Sequence, residues 1–296
     1  MIDLHSHMLP GIDDGAADLR ISLAMARMAV ADGVEVQACT PHILPGLYHN
    51  TGPQIRAATR ELQRRLDEND IPLRLITGAD VHLAPDLAEG LRSGRILSLA
   101  DTRYVLVEPP HHVAPLRLVD FFFNVLLAGY VPILTHPERL SWIDTHSAAI
   151  EQLFHGGVWM QITAGSLIGA FGRGPRYWAE RMLDEGRVHI LASDAHGIGR
   201  RRPNLGQGRD AVAKRLGDEA AIDMVLTRPL GILENLPPSH MPAPGPGGCG
   251  GFRRDETSLR SRKQYGGGNA NKVDAYQDGD AGGWRDVIGR VRAIFQ

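Results

Sequence analysis

Cysteine is nearly absent from this chain, with only Cys39 and Cys249 in 296 residues. Two thiols build neither a disulfide framework nor a cysteine zinc cluster. Neither starts the Cys-x5-Arg loop in which a thiolate cradles an anion, because Pro45 and Asp255 occupy the positions where arginine is needed. No uncharged apolar run approaches the ~18 residues of a membrane span. The opening MIDLHSHMLPGIDDG has neither the basic nor the apolar region of a secretory leader, so a soluble, cytoplasmic protein is expected. Gly-x-Ser-x-Gly, Walker A and Gly-x-Gly-x-x-Gly motifs are missing, and with them the usual serine-hydrolase and nucleotide-cradling signatures. An excess of positive charge is missing as well. The net charge is −2, with +3 in residues 241–296 and therefore −5 in residues 1–240. The body lacks the basic footprint of a nucleic-acid binder, and no nucleic-acid partner is expected.

Residues 1–236 alternate short apolar runs with longer amphipathic ones. Strand-like segments are Met1–Leu4, Val34–Cys39, Leu73–Thr77, Tyr104–Val107, Val131–Leu134, Val158–Ile162 and Val188–Leu191. Helix-like segments are Leu19–Ala31, Pro53–Glu68, Leu116–Ala128, Ser147–Phe154, Tyr177–Glu185 and Gly208–Leu216. Asp18 suits an N-cap, Pro53 a first helical turn, and Gly33, Gly129 and Gly186 stand where helices must stop. Such alternation predicts parallel βαβ units. About seven units in this length favour a closed or nearly closed α/β barrel over an open doubly wound sheet, whose first strand would usually run into a glycine-rich loop. After Leu236 the composition turns Pro/Gly-rich, so residues 237–296 read as a flexible tail. Within it, Trp284, Val287, Ile288, Val291 and Phe295 fall on one face of a short amphipathic helix at 284–295.

Histidine is the residue in excess, with 13 in the chain. His5 and His7 follow the first strand two residues apart, a spacing that points both imidazoles the same way in extended backbone. Asp13-Asp14-Gly15 follows in the same loop. His42 comes after the second strand, Asp80 after the third, Glu108 after the fourth and His136 after the fifth. Asp194 and His196 follow the seventh. In a parallel barrel these strand ends open on one face, where barrel enzymes build their sites. Imidazoles and carboxylates on one rim predict a centre of two or three divalent ions. His111 and His112 stand close enough to Glu108 to line the same pocket. His49, His82, His146, His155, His189 and His240 read as satisfied or solvent-facing.

The His-x-His opening, Thr-Pro-His at 40–42, the glutamate after strand four, the histidine after strand five and the closing Asp-x-His resemble the polymerase and histidinol phosphatase (PHP) superfamily. MIDLHSHMLPGIDDG, CTPH at 39–42, GAD at 78–80, THPER at 135–139 and ASDAH with an Arg-Pro at 202–203 narrow the resemblance to the CpsB/CapC group. The resemblance covers residues 1–236. It implies a distorted (β/α)7 barrel binding up to three metal ions, Mn2+ foremost, with Fe, Co or Zn compatible. It implies His5, His7, Asp14, His42, Glu108, His136, Asp194 and His196 as ligands, and as the reaction the hydrolysis of phosphotyrosine on a tyrosine autokinase of capsule or exopolysaccharide synthesis. The group usually has glutamate in its Gly-Ala-Glu motif. Here the residue is Asp80, one methylene shorter, so a bridging role there needs the backbone closer or one ion held more loosely.

The chemistry follows without the resemblance. Two or three divalent ions against four carboxylates leave a centre that is neutral or positive, suited to a phosphate dianion. Such ions also acidify water into a nucleophile. Arg139, just past His136, is an expected guanidinium contact to phosphate, and the resemblance implies Arg202 as a second, because it precedes Pro203 as in the family pattern, over Arg200 and Arg201. Phenol, with a pKa of about 10, leaves readily, so aryl phosphates suit the site. A glycosidase carboxylate pair would leave the histidines without a role. A small-molecule phosphoesterase such as histidinol-phosphate phosphatase, a PHP exonuclease and a non-catalytic regulatory module are the alternatives. A homo-oligomer is compatible with the sequence.

Overall fold

The structure, a computed structural model, describes residues 1–245. Its strands are β1 (Ile2–Asp3), β2 (Val36–Cys39), β3 (His42–Leu44), β4 (Tyr48–His49) and β5 (Arg74–Thr77). They continue with β6 (Asp80–His82), β7 (Tyr104–Glu108), β8 (Val131–Thr135), β9 (Trp159–Thr163) and β10 (Ile190–Ala192). Two sheets contain them, one in the order β1-β2-β5 and one in the order β10-β9-β8-β7-β6-β3-β4. Only the β3–β4 pair is antiparallel among these ladders. The strands β7, β8 and β9 are buried along their whole length, which is why Tyr-Val-Leu-Val and Val-Pro-Ile-Leu read as continuous apolar runs rather than alternating ones.

Each of the seven expected strand segments overlaps a strand, but two bend and continue. Past Thr40-Pro41 the second becomes β3, and past Gly78-Ala79 the third becomes β6. Hydrogen bonds carry the pairing through the bend, from Gly78 N to Cys39 O (3.0 Å) and from Asp80 N to Pro41 O (3.2 Å). A Cβ at Gly78 would meet the Leu99 and Thr40 side-chain methyls at 2.9 and 3.0 Å, so glycine lets both pack tightly over the bend. The continuations are only three residues long each, too short to leave a periodic signature. They nevertheless set the functional register, placing His42 opposite Asp80 and His82 opposite Glu108.

The segments after β1 and β10 also meet. Ser6 and Ala195 form an isolated parallel bridge, flanked by Asp194 N to His5 O (3.0 Å) and His7 N to Ala195 O (2.9 Å).

The expected helices are present. Leu19–Ala31 starts where Asp18 Oδ1 accepts the Ile21 N–H at 2.9 Å, and Gly33 ends the turn beyond it at φ 89°. The others run Gly52–Glu68, Leu118–Leu127, Ile143–His155, Arg173–Asp184 and Leu205–Leu216. The helices Leu87–Arg92, Ala164–Leu167 and Asp218–Ile222 carry no expectation, nor does Arg228–Leu233. Pro229 in the last stands just after a π-helical turn, Asp223–Thr227, that runs into this helix in right-handed backbone. Among the described residues no helix is long and apolar enough to cross a membrane.

Packing runs on past Leu236. The buried Arg228 guanidinium donates to the carbonyls of His189 (2.8 Å), Pro242 (2.9 Å) and Ala243 (3.1 Å). Met241 sits so close to Gly231 that an added Cβ would lie 2.4 Å from its sulfur. The helix expected at 284–295 lies outside the described residues.

Candidate metal centre

The strand ends bring together all nine residues singled out as ligands. His5 Nε2 lies 3.5 Å from Asp80 Oδ2 and 3.4 Å from Asp194 Oδ1. His7 Nε2 lies 3.5 Å from the same Asp194 oxygen. Asp14 Oδ1 is 3.5 Å from both His42 Nε2 and His196 Nε2. Glu108 closes the far side, 3.3 Å from His42 Nδ1 and 3.6 Å from His136 Nε2. His5, His7, Asp80, His136 and Asp194 are at most 2% exposed, whereas the Asp14 side chain is 46% exposed and marks the mouth. His136 and Asp194 both adopt left-handed backbone, at φ 35° and 50°. Such strain in residues other than glycine is typical of functional turns, and here both strained residues are candidate ligands next to the strand ends.

Two neighbours fix which nitrogen each leading histidine presents. Gln161 Oε1 lies 2.7 Å from His5 Nδ1, and Asp13 Oδ2 lies 2.7 Å from His7 Nδ1. With each Nδ1 donating, both Nε2 atoms turn lone pairs toward one another across 3.2 Å. Two facing lone pairs in a buried site need a proton or a cation between them. The electrostatics agree: burial alone would lower the His7 pKa, but its bonds to Asp13 and Asp194 outweigh burial and hold it up to about 10. Gly15 completes the loop. An added Cβ there would lie 2.0 Å from His7 O, so only glycine lets the Asp13-Asp14 turn close on His7.

The donor chemistry fits divalent ions. Among the described residues, the buried atoms His42 Nδ1, Asp80 Oδ2, His136 Nδ1, Asp194 Oδ1 and His196 Nε2 have no hydrogen-bond partner, and a buried polar group is normally satisfied. Five groups of imidazole and carboxylate atoms lie within metal-sharing distance of one another: His5-His7-Asp80, His5-His136-Asp194, His7-Asp14-His42-His196, His42-His82-Glu108 and Glu108-His111-His136. Mixed nitrogen and oxygen donors suit first-row transition ions. Asp194 is held well below the usual carboxylate range despite its burial, through His5, Arg201, His7 and Arg139. Glu108 is held down against burial by His111 and His82 first. Burial, with help from the Arg139 charge, pushes His136 well below its usual value. Burial also takes His196 down to about 4, with His7 adding to it. Both rings are thereby kept neutral and able to ligate.

Arg139 lies beside the ring, pairing with Asp194 Oδ2 while its guanidinium covers the Phe171 ring at 4.4 Å. The second arginine differs from the expectation. Arg201, not Arg202, reaches Asp194 Oδ2, at 2.7 Å, while Arg202 is exposed. The reason is local: Arg201 O accepts from His196 N (2.8 Å) and Gly197 N (3.2 Å). That folds the loop back and turns Arg201, rather than its neighbour, inward.

His82 also differs from its reading as a bystander. Its Nε2 stands 2.6 Å from Glu108 Oε2. It lies two residues after Asp80 on β6, and that alternation was the available signal. His111 does line the pocket, 2.9 Å from Glu108 Oε1, whereas His112 is exposed. His49, His155 and His240 are exposed, His146 bonds within its own turn, and His189 accepts the Met160 N–H at 3.0 Å.

A family model described as capsular polysaccharide synthesis, CpsB/CapC, matches residues 1–234. The tyrosine-protein phosphatase YwqE of Bacillus subtilis is 36% identical over 219 residues, covering 74% of this chain and 86% of that protein. The tyrosine-protein phosphatase CpsB of Streptococcus pneumoniae is 28% identical over 244 residues, covering 79% and 98%. A crystal structure from the work on YwqE and CpsB as metal-dependent tyrosine phosphatases superposes with a TM-score of 0.78 at 34% identity, covering 83% of this chain and 99% of that one. The chain belongs to the CpsB/CapC family.

Proposed function

We propose that this protein is a metal-dependent phosphotyrosine-protein phosphatase acting on a phosphorylated tyrosine autokinase of capsule or exopolysaccharide synthesis. The observation that carries the reading is the convergence of buried, unpartnered imidazole and carboxylate atoms beside two inward-turned arginines. The names of YwqE and CpsB support the substrate class. The two sheets and the Ser6–Ala195 bridge support a distorted (β/α)7 barrel as the scaffold. In this reading the barrel spans residues 1–236, residues 237–243 pack on it, the remainder to 296 is an appended segment, and the protein works in the cytoplasm. The ions are two or three, with Mn2+ first in order.

His5, His7, Asp14, His42, Asp80, Glu108, His136, Asp194 and His196 would hold the ions. Once bound, the ions supply charge neutralisation for the phosphate and an activated water. The chain's own residues do the rest. Asp13 and Gln161 hold the Nδ1 protons of His7 and His5 away from the centre. Arg139 and Arg201, shared on one Asp194 oxygen, keep further N–H groups for phosphate oxygens and stabilise the charge developing in the transition state. Phenolate is a leaving group good enough to depart without a dedicated acid.

The test is phosphate release from a phosphotyrosine peptide and from histidinol phosphate, with nucleotide release from single-stranded DNA, using chelator-stripped protein reloaded with defined metals. Release from the peptide that is abolished by chelation and restored by Mn2+ is expected. Equal or better use of histidinol phosphate, or chelator-resistant turnover, overturns the reading.

A further inference from the structure

We propose that Phe171 is a positioning residue: its ring holds the plane of the Arg139 guanidinium, so that the N–H groups not taken by Asp194 stay aimed at the phosphate. Arg139 has little else to hold it. Its Nη1 pairs with Asp194 Oδ2, and among the described residues no other acceptor takes its remaining N–H groups. A contact through one nitrogen fixes where that nitrogen lies but leaves a planar group with five donors free to turn about it. The Phe171 ring supplies the second restraint. Arg139 Cζ lies 4.4 Å from the ring centroid, inside the ~6 Å over which an aromatic face attracts a cation. The Arg139 side chain is only 13% exposed, so water competes weakly and the contact stands toward the stronger end of its range.

The ring is itself built into place. Past β9 the short helix Ala164–Leu167 turns back on itself, with Ala170 N donating to Gly165 O at 2.8 Å. A Cβ on Gly165 would stand 2.8 Å from Phe171 Cε2 and 3.5 Å from Cδ2, so one edge of the ring packs against bare backbone. From the loop after β10, Arg200 donates Nε and Nη2 to the Ala170 carbonyl at 3.1 and 2.8 Å. The residue before Arg201 thus grips the residue before Phe171. The two loops then meet again on Asp194 Oδ2, one through Phe171 and Arg139 and the other through Arg201. The aligned guanidinium is favoured over turned ones by the free energy of the ring contact. Removing the π-face therefore lowers the aligned fraction by at most the Boltzmann factor of that contact, about 3–30-fold.

This assignment rests on the phosphatase reading, and the experiment separates the two. Turnover of a phosphotyrosine peptide by Mn2+-loaded full-length protein is compared for wild type, Phe171→Leu, Phe171→Tyr, Arg139→Ala and the double variant Arg139→Ala/Phe171→Leu. Leucine fills the space without a π-face, whereas tyrosine keeps the face. Phe171→Leu is expected to lower kcat by about 3–30-fold at unchanged metal content, Phe171→Tyr to restore it, and Phe171→Leu to cost nothing further once Arg139 is gone. A second readout needs neither metal nor turnover: the Arg139 Nε–H resonance, identified by its loss in Arg139→Ala, is shifted upfield by the ring current in wild type and returns in Phe171→Leu. Wild-type kcat in Phe171→Leu overturns the assignment. So does a loss that persists undiminished in the Arg139→Ala background, or a rise in KM alone, which would make Phe171 a wall for the substrate's phenyl ring. Should Phe171→Leu lose its fold or its metal, Gly165→Ala serves instead, because its methyl pushes the ring aside without removing it, and the same fall in kcat and loss of the upfield shift are required. A wild type that releases no phosphate refutes the phosphatase reading and this assignment with it, whereas an active wild type matched by Phe171→Leu refutes the assignment alone.

Discussion

Replacing Asp13 by asparagine removes a charge at nearly constant shape, and the structure dictates its effect. Asp13 Oδ2 accepts from His7 Nδ1 at 2.7 Å and from His42 N at 3.1 Å, while Oδ1 accepts from Gly15 N at 2.9 Å. Both oxygens therefore face donors, and asparagine has only one oxygen. Whichever way the amide turns, its NH2 meets an N–H. The better orientation keeps the oxygen on His7 and His42 and leaves the half-buried Gly15 N unpaired, at the low end of the about 1–3 kcal/mol that an unsatisfied buried donor costs. The bond to His7 survives but is no longer charge-assisted, so His7 presents Nε2 as a weaker base and with less fixed aim. Losing such a partner behind a ligand lowers metal affinity roughly 10–100-fold, or about 1.4–2.8 kcal/mol. The assay pairs thermal unfolding of the metal-free protein with Mn2+ affinity by chelator competition. A variant that is folded and binds Mn2+ within a factor of about two, far inside that range, refutes the role given to Asp13.

Arg139→Lys keeps the charge but loses the fork, and phosphotyrosine turnover should fall by about 10²–10³, as when a transition-state donor is lost, with metal content unchanged by elemental analysis. Arg201→Ala should impair turnover while Arg202→Ala leaves it intact, and the reverse order would restore the sequence-based choice. Gly15→Ala forces a methyl against the His7 carbonyl and should cost metal retention before it costs the fold, as circular dichroism and elemental analysis would show. Burial, aided by Arg228, lowers the His189 pKa from 6.5 to about 3. The unfolded chain takes up that proton as the pH falls through 6.5 and the folded chain does not until about 3, so stability is lost across that window. Between pH 7 and 5 the loss from this one group is about 2 kcal/mol. Denaturant unfolding of metal-free His189→Asn should show a pH sensitivity smaller by that amount.

Much of the scaffold and ring was legible because strand ends leave a periodic mark and ligand chemistry a compositional one. His5 and His7 announce themselves by a spacing of two just after an apolar run, and Glu108 and His136 by ending buried strands. What escaped depends on single turns. The short β3 and β6, created by the bends at Pro41 and Gly78, have no length over which a pattern can repeat, so His82 was separated from Asp80 although it shares its face. Asp13 and Asp14 look alike in sequence, and only the loop closure over Gly15 assigns one to hold His7 and the other to face the centre. Arg201 and Arg202 differ only in which way a loop folds, and that is decided by two hydrogen bonds to the Arg201 carbonyl.

Asp194 links these parts into one site. Its Oδ2 takes Arg139 and Arg201, while its Oδ1 faces His5, His7 and His196 at 3.4–3.6 Å. One carboxylate thus fixes the spacing between the groups suited to phosphate oxygens and the groups suited to ions. Its own position is held by the Asp194 N–H on the His5 carbonyl and by the left-handed turn that follows β10. A flexible ammonium at either arginine position could neutralise the same oxygen, but it would not carry the fixed planar fork that leaves other N–H groups aimed outward. The division of the two Asp194 oxygens therefore explains why guanidinium serves there, and why a strained backbone is tolerated at that residue: relaxing it would move the arginines and the ligand ring relative to each other.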